Sequence, residues 1–277
     1  MSASTLDFQH CWRDQTFVAF DLETTGAYPL TSEIVELGAV KWAGGKLIDE
    51  LQFMVRPQKA MSDFIIGIHG ISNEMVADKK RIAEELPRFR EFIQGSILLA
   101  HHAAFDMGFL AVELEAEVLP TVKALCTSRL GRALIRGTPN HKLQTLVRHF
   151  GIDPGRVHRA ADDARSCLEV ALRIFTQLGE VSVQEIARQM QGFYEWKDFS
   201  IQQAPPLQKI LSQAIHEESD VEFVYLGGSL KGKLRRATPL GLVRSPEGDW
   251  MPAICHIDRA EKRFYFDKIA ELRQVFR

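Results

Sequence analysis

Four carboxylates and one imidazole constrain this chain more than any other feature. Asp21 and Glu23 lie in FDLETTG, Asp106 in AHHAAFD, and His158 and Asp163 in HRAADD, a span of 143 positions. A fold that draws such acids together must neutralise them, because carboxylates buried without a counter-charge either cost many kcal/mol or take up protons. Divalent metal is the usual solution, and all-oxygen ligation suits Mg²⁺ or Mn²⁺. Two such ions beside a positioned base make a phosphodiester-cleaving centre.

Each acid has a local reading. Asp21 and Glu23 stand two apart at the end of an apolar run, Gln15–Asp21, that reads as a buried strand. Alternation puts both side chains on one face. Strand C-termini are where α/β sheets place ligands, although a lone DxE pair fits solvated strand-end acids equally well. Asp106 opens a helix, three and four residues before Phe109 and Leu110, and taken alone it reads as a first-turn acid favoured by the helix dipole. His158 and Asp163 are five apart, which is poor spacing for one helix face. The histidine therefore belongs to the preceding loop, with a helix from Ala160 to Leu178. Asp163 falls beside Cys167 and Ala171 on its apolar stripe, whereas Asp162 falls with Ser166, Glu169 and Arg173 on the polar side. An acid that faces a core needs a reason, and metal supplies one.

The surrounding pattern predicts an α/β layer fold with a mixed sheet. Glu33–Trp42 and Lys46–Val55 are β-rich runs around Gly44-Gly45, a hairpin signal. Helical periodicity covers Arg81–Ile93, Phe105–Val118, Leu143–Phe150 and Ala160–Leu178, with short strands at Ser96–Ala100 and Val122–Cys126. Residues 179–206 read as a helical and aromatic connector containing Phe193, Tyr194, Trp196 and Phe199, with a boundary near Ala204. After a helix over Leu207–His216 the chain turns β-rich at Val221–Tyr225, Leu234–Leu242, Trp250–Ile257 and Arg263–Phe266. That pattern suits a small barrel. The organisation expected is residues 1–178, 179–206 and 207–277.

Composition is ordinary for globular proteins, with 45% hydrophobic and 25% charged residues. No apolar run reaches membrane-spanning length and no N-terminal signal pattern is present, so a soluble cytoplasmic protein is expected. The four cysteines show no CxxC spacing and read as reduced structural thiols. Net charge is −2, which disfavours tight coating of duplex nucleic acid and favours weak, salt-sensitive binding at ends.

FDLETTG, IHGIS, AHHAAFD, HKLQTL and HRAADDA together resemble the DEDDh class of 3′→5′ exonucleases, which includes bacterial proofreading subunits and ribonuclease T. The resemblance covers roughly residues 15–178. It implies an RNase H-like fold with a mixed five-stranded sheet and flanking helices. It implies that Asp21, Glu23, Asp106 and Asp163 hold two divalent cations, roughly 3.5–4 Å apart as in other two-metal centres, with Asp21 bridging and His158 as general base. The substrate implied is the 3′ end of single-stranded nucleic acid, DNA ahead of RNA, with nucleoside 5′-monophosphates as products. Leu22, Thr24, Thr25 and His69 carry over as substrate contacts. The family often has Asn where this chain has His102, a position that falls beside the substrate.

VEFVYLGG, RRATPLGL, DWMPAICH and KRFYFDKIAEL resemble a WYL domain, a small SH3-like barrel, although the eponymous tripeptide stands here as Trp250-Met251-Pro252. Lys231, Lys233, Arg235, Arg236 and Arg263, with Tyr225 and Tyr265, suggest an accessory patch for single-stranded nucleic acid, against the plainer reading of a solvated barrel surface. Two further roles stay open. One is a sensor of nucleic-acid ends or nucleotides, which the intact set of five catalytic-type residues disfavours. The other is an accessory proofreading subunit for a polymerase partner.

Overall fold

The computed structural model describes residues 6–113, 122–199, 206–228 and 230–276. The chain divides into two compact units. The first comprises Met1–Thr25, Glu33–Met107 and Glu117–Trp196, and the second Gly26–Ser32, Gly108–Ala116 and Lys197–Arg277.

The first unit is built on a mixed sheet of order β3-β2-β1-β4-β5-β6. Its strands are β1 (Phe17–Thr24), β2 (Ile34–Ala43), β3 (Lys46–Met54), β4 (Ile97–Ala100), β5 (Lys123–Cys126) and β6 (Tyr194–Glu195). β1 runs antiparallel to β2 and parallel to β4. The β2–β3 turn is Gly44-Gly45, with φ of 58° and 84°, the left-handed pair that two-residue hairpins demand. The expected five strands become six: Tyr194 and Glu195 pair with Ala124 and Lys123 at the far edge. A two-residue strand has no periodicity to read, which is why this edge looked like connector.

The helices are α1 (Asp63–His69), α2 (Asn73–Val76), α3 (Ile82–Phe92), α4 (Ala103–Glu113), α5 (Thr127–Leu134), α6 (Leu143–Phe150), α7 (Ala160–Leu178) and α8 (Val183–Gln189). α1, α2 and α5 are short and were not expected. The expected end of α4 near Pro120 and the expected boundary near Ala204 lie outside the described residues. No helix among the described residues is long and apolar enough to cross a membrane. α7 lies across β1 and β2, and one residue on β2 permits this. A Cβ on Gly38 would stand 2.2 Å from the Ala160 carbonyl carbon and the Ala161 nitrogen. The first turn of α7 therefore seats directly over Gly38, which is the cross-strand partner of Asp21.

The rest of the connector packs within the first unit up to Trp196. Phe193 meets Phe8 at 5.0 Å between ring centroids, Arg129 lies 5.1 Å from the Tyr194 ring, and Trp196 is buried.

The second unit carries α9 (Pro206–His216) and an antiparallel sheet of order β10-β9-β8-β7-β11. These strands are β7 (Asp220–Tyr225), β8 (Lys233–Pro239), β9 (Trp250–Cys255), β10 (Ala260–Tyr265) and β11 (Ile269–Val275), with a single 3-10 turn, Phe266–Lys268, before the last. β11 was not expected, because its alternation is broken by a register shift between Ala270 and Arg273. Val221, Phe223, Ala237, Met251, Ala253 and Phe264 fill its core.

Candidate active site

β1 delivers Asp21 and Glu23 to the face covered by α7. In the β1–β2 register Asp21 stands opposite Gly38 and Glu23 opposite Glu36. The alternation that pairs these acids thus brings a third onto the same face. Asp106, on the first turn of α4, is buried, and its carboxylate accepts the Leu22 N–H. α4 is tied in this way to the strand that carries the first two acids. Of the two adjacent aspartates on α7, Asp163 is buried, whereas Asp162 turns outward to Arg156 at 3.3 Å.

Glu23, His158 and Asp163 each present a donor atom within 4.8 Å of the others. His158 is exposed at the mouth of a cleft of about 550 Å³ that Asp21, Glu23 and Asp163 also line. Its φ is +60°, uncommon for a residue with a side chain. Its backbone N–H donates to Asp163 Oδ2 at 2.9 Å, and Gln144 Nε2 donates to Asp163 Oδ1 at 3.0 Å. The strained residue and the carboxylate therefore hold each other in place.

The electrostatics are those of an uncompensated cluster. Burial, then Asp106, Glu23 and Asp163, push the Asp21 carboxyl well above the usual carboxylate range. Burial, then Asp163 and Glu36, push Glu23 to about 8, against a partial pull downward from Arg159. Burial raises Asp106 and Asp163 as well. Four mutually repelling carboxylates beside one imidazole form a hard, oxygen-rich donor set whose missing counter-charge a divalent cation would fit.

A consequence is measurable. A carboxyl raised in the folded state keeps its proton where the unfolded chain has lost it, so rising pH drains stability across that window. Without divalent cations, the melting temperature is expected to fall as pH rises from 4.5 to about 8, the interval over which Glu23 titrates. Mg²⁺ or Mn²⁺ should flatten the slope. A calorimetric series in EDTA that rises between pH 5 and pH 8 would contradict this.

Several supporting residues were missed. Glu36 is fully buried on β2, where it accepts from Arg159 Nη2 at 2.7 Å, Arg159 Nε at 3.2 Å, the Ala160 N–H at 3.1 Å and Gln52 Nε2 at 2.8 Å. Burial pushes its carboxyl up, but these bonds prevail and it sits below its ordinary value. Arg159 is the cation paired with Glu36, through both Nε and Nη2. A lone Glu inside the apolar run IVELGAV was the available signal. His101 is buried, with Nδ1 2.8 Å from Thr127 Oγ1 and Nε2 3.1 Å from the His141 carbonyl, and burial pushes its imidazole down to about 3. It is a neutral tether between the end of β4 and the segment before α6.

The expected substrate contacts divide. Leu22 lines the cleft. Thr24 is buried, and Thr25 Oγ1 accepts the Glu33 N–H at 2.9 Å, so Thr25 serves the turn. His69 closes α1 and is buried, with Nδ1 accepting the Ile71 N–H at 3.0 Å; Glu36, Arg159 and His158 all act on its charge, which sets it beside the carboxylates. His102 is exposed in the β4–α4 turn with φ of 65°, its Nε2 3.5 Å from Ser128 Oγ.

The second unit does not gather its five basic residues on one exposed face. Arg235 is 5% exposed, paired with Asp258 at 3.3 Å, and lies over the rings of Phe264 and Tyr225. Arg236, on the opposite face of β8, pairs with Asp220 at 2.9 Å. Tyr225 is buried. Strand alternation separates neighbours that the sequence reads as one cluster. Lys231, Lys233 and Arg263 are exposed, the last with its guanidinium 4.7 Å from the Trp250 ring centroid.

Known proteins share this architecture. The exonuclease family of the ribonuclease T type matches residues 18–171. The chain is 38% identical over 174 residues to the PolC-type DNA polymerase III of Caldanaerobacter subterraneus subsp. tengcongensis, and 36% identical over 177 residues to that of Bacillus subtilis. Each match takes in 62% of this chain but only 12% of the polymerase. The chain thus corresponds to about an eighth of the length of these relatives. Among solved structures, the nuclease domain of 3′hExo, described as a DEDDh family member bound to rAMP, superposes with a TM-score of 0.53 at 23% identity, covering 61% of this chain and 96% of that one. With the carboxylates of β1, α4 and α7 converging beside His158, the chain belongs to the ribonuclease T exonuclease family.

Proposed function

We propose that this protein removes nucleoside 5′-monophosphates one at a time from the 3′ end of single-stranded nucleic acid, with DNA as the first substrate. The observation that carries this reading is the convergence of Asp21, Glu23, Asp106 and Asp163, with His158 within reach of Glu23 and Asp163 at the mouth of one cleft. The relatives named as DNA polymerases favour DNA over RNA.

In this reading Asp21, Glu23, Asp106 and Asp163 hold two divalent cations, Mg²⁺ or Mn²⁺. Bound there, the ions supply the positive charge that polarises the phosphodiester and make water acidic enough to attack it. The residues do the rest. An imidazole nitrogen of His158 accepts the proton of the attacking water. The water oxygen bonds to phosphorus as the bond from phosphorus to the 3′ oxygen breaks, and that oxygen takes up a proton from solvent, so the shortened strand leaves with a 3′-hydroxyl. The hydrogen bonds from Gln144 and from the His158 N–H fix the Asp163 carboxylate, so the base and one metal ligand move as a unit. Leu22 lines the cleft where the terminal base would rest, and His69 and His102 would approach the substrate from the end of α1 and from the β4–α4 turn.

The test is His158→Ala. Losing a general base costs roughly 10²–10⁴-fold in rate, so kcat on a 3′-terminal single strand should fall by that amount. Mn²⁺ binding measured by calorimetry should stay. Retention of the wild-type rate would remove His158 from the chemistry.

The similarity to PolC-type polymerases favours a second reading of the same chemistry, that of an accessory proofreading subunit, which co-purification with a polymerase would support. For the second unit we infer an SH3-like barrel of the WYL kind. Its order β10-β9-β8-β7-β11, with the last strand returning beside the first after a 3-10 turn, supports this. Lys231, Lys233 and Arg263 are the exposed cations through which it would meet nucleic acid or a regulatory ligand.

A further inference from the structure

We propose that Lys142 and Arg148, on the wall of the cleft formed by α6, grip the phosphates 5′ of the scissile one and make this site selective for polynucleotides over isolated phosphodiesters. The proposal rests on the exonuclease reading of the carboxylate cluster and goes beyond it by assigning a second, anionic subsite.

Arg159 is bound to Glu36, Arg156 to Asp162 at 3.3 Å, and Arg165 to Glu50 at 2.6 Å. Lys142 and Arg148 line the same cleft as Asp21, Glu23 and Asp163, and both are exposed. Neither makes an ion pair among the described residues. The net charge of −2 offers a polyanion no general attraction, so association depends on local cations free to act.

Helix stability does not explain Lys142. It occupies the N-cap of α6, where it makes no capping hydrogen bond. A cation at a helix N-terminus opposes the dipole. Lys142, Thr145 and Arg148 recur every three residues, and all three line the cleft. Six residues of helix carry that row over ~9 Å, longer than a single phosphate.

The wall is rigidly tied to the acids. Gln144 donates to Asp163, and Asn140 Oδ1 accepts from the Lys142 N–H at 3.0 Å and from Thr145 Oγ1 at 2.8 Å. His101 anchors the His141 carbonyl at 3.1 Å. The cleft therefore has an acidic side, which would hold metal and the scissile phosphate, and a basic side at a set distance from it. A substrate with one phosphate uses only the first.

The experiment compares wild type with Lys142→Ala/Arg148→Ala in the full chain with Mn²⁺. The substrates are a single-stranded oligonucleotide and the p-nitrophenyl ester of thymidine 5′-monophosphate, which carries one phosphate. The ratio of kcat/KM on the oligonucleotide to that on the ester should fall roughly 10–100-fold, as expected for two solvent-exposed contacts of ordinary net hydrogen-bond strength, mainly through KM. The log–log dependence of oligonucleotide kcat/KM on salt should become shallower by about 1.4, from two contacts on a single strand. An unchanged ratio with an unchanged slope overturns the proposal, and so does an equal loss on both substrates, which would assign the pair to the fold or the reacting centre. If wild type hydrolyses neither substrate with Mn²⁺ or Mg²⁺, the exonuclease reading itself fails, and the subsite with it.

Discussion

Asp21→Asn should inactivate the enzyme and, in EDTA, make it more stable. The Asp21 carboxyl is held well above its ordinary range by burial and by Asp106, Glu23, Asp163 and Glu36. An amide of the same shape removes the repulsion without leaving a cavity. Relief of this kind at active sites commonly gives about 0.5–2 kcal/mol, which for a chain of this size is roughly 1–8 °C in melting temperature. Metal-dependent release of mononucleotides should fall roughly 10³-fold or more, since losing merely a hydrogen-bonding supporter of a metal ligand already costs about 10–100-fold. Divalent cations should raise the melting temperature of wild type far more than that of the variant, because stabilisation follows binding to the folded state. Thermal unfolding in EDTA and in Mn²⁺, with a product assay, reads all three. A variant that digests like wild type, or that is less stable in EDTA, would show that the carboxylates are neither strained nor needed to hold metal.

Arg159→Leu is expected to have the largest effect on stability. It strips Glu36, fully buried, of its cation while leaving the Ala160 N–H and Gln52 as its hydrogen-bond donors among the described residues. Breaking one side of a buried pair costs about 3–5 kcal/mol. The sign with pH is informative. In wild type the Glu36 carboxyl lies below its ordinary value, so it contributes stability above that value that is lost as pH falls. Without Arg159 burial prevails, Glu36 takes up a proton, and the penalty should be larger at pH 8 than at pH 5. Glu36→Leu/Arg159→Leu should recover much of the lost stability, because an apolar pair can replace a buried ion pair, yet activity should stay low. The ion pair fastens the first turn of α7, with His158 and Asp163, to β2. Urea unfolding of the two single variants and the double variant at both pH values measures the coupling. A penalty independent of pH, or full activity in the double variant, would count against the pair as a clamp on the site.

These expectations show which parts of the molecule sequence makes legible. α7 runs from Ala160 to Leu178 in both the periodicity and the fold, because a nineteen-residue amphipathic stripe leaves little freedom. Asp163 stood out on that stripe as an acid among apolar neighbours, and Asp21 and Glu23 stood out as a pair at a strand end. α1 and α2 did not stand out, since seven and four residues give at most two turns, and in α5 a glycine, Gly131, interrupts the helical pattern. β6 is two residues long and exists only because β5 offers an edge. The basic run in RRATPLGL misled for the opposite reason. Adjacency in sequence is separation across a strand, and Arg235 went to the core beside Phe264 while Arg236 faced outward.

Local order along the chain determined the secondary elements long enough to show a period, the acids that such elements cannot comfortably bury, and the family to which those motifs belong. Tertiary structure alone decided that Glu36 stands across from Glu23, that Arg159 answers it, that Gly38 lets α7 settle over Asp21, and that Lys142 and Arg148, with no ion pair among the described residues, line the same cleft. The division is physical. Periodicity is written residue by residue in side chains, whereas compensation of charge is a property of distance, and distance between remote segments exists only once the chain has packed.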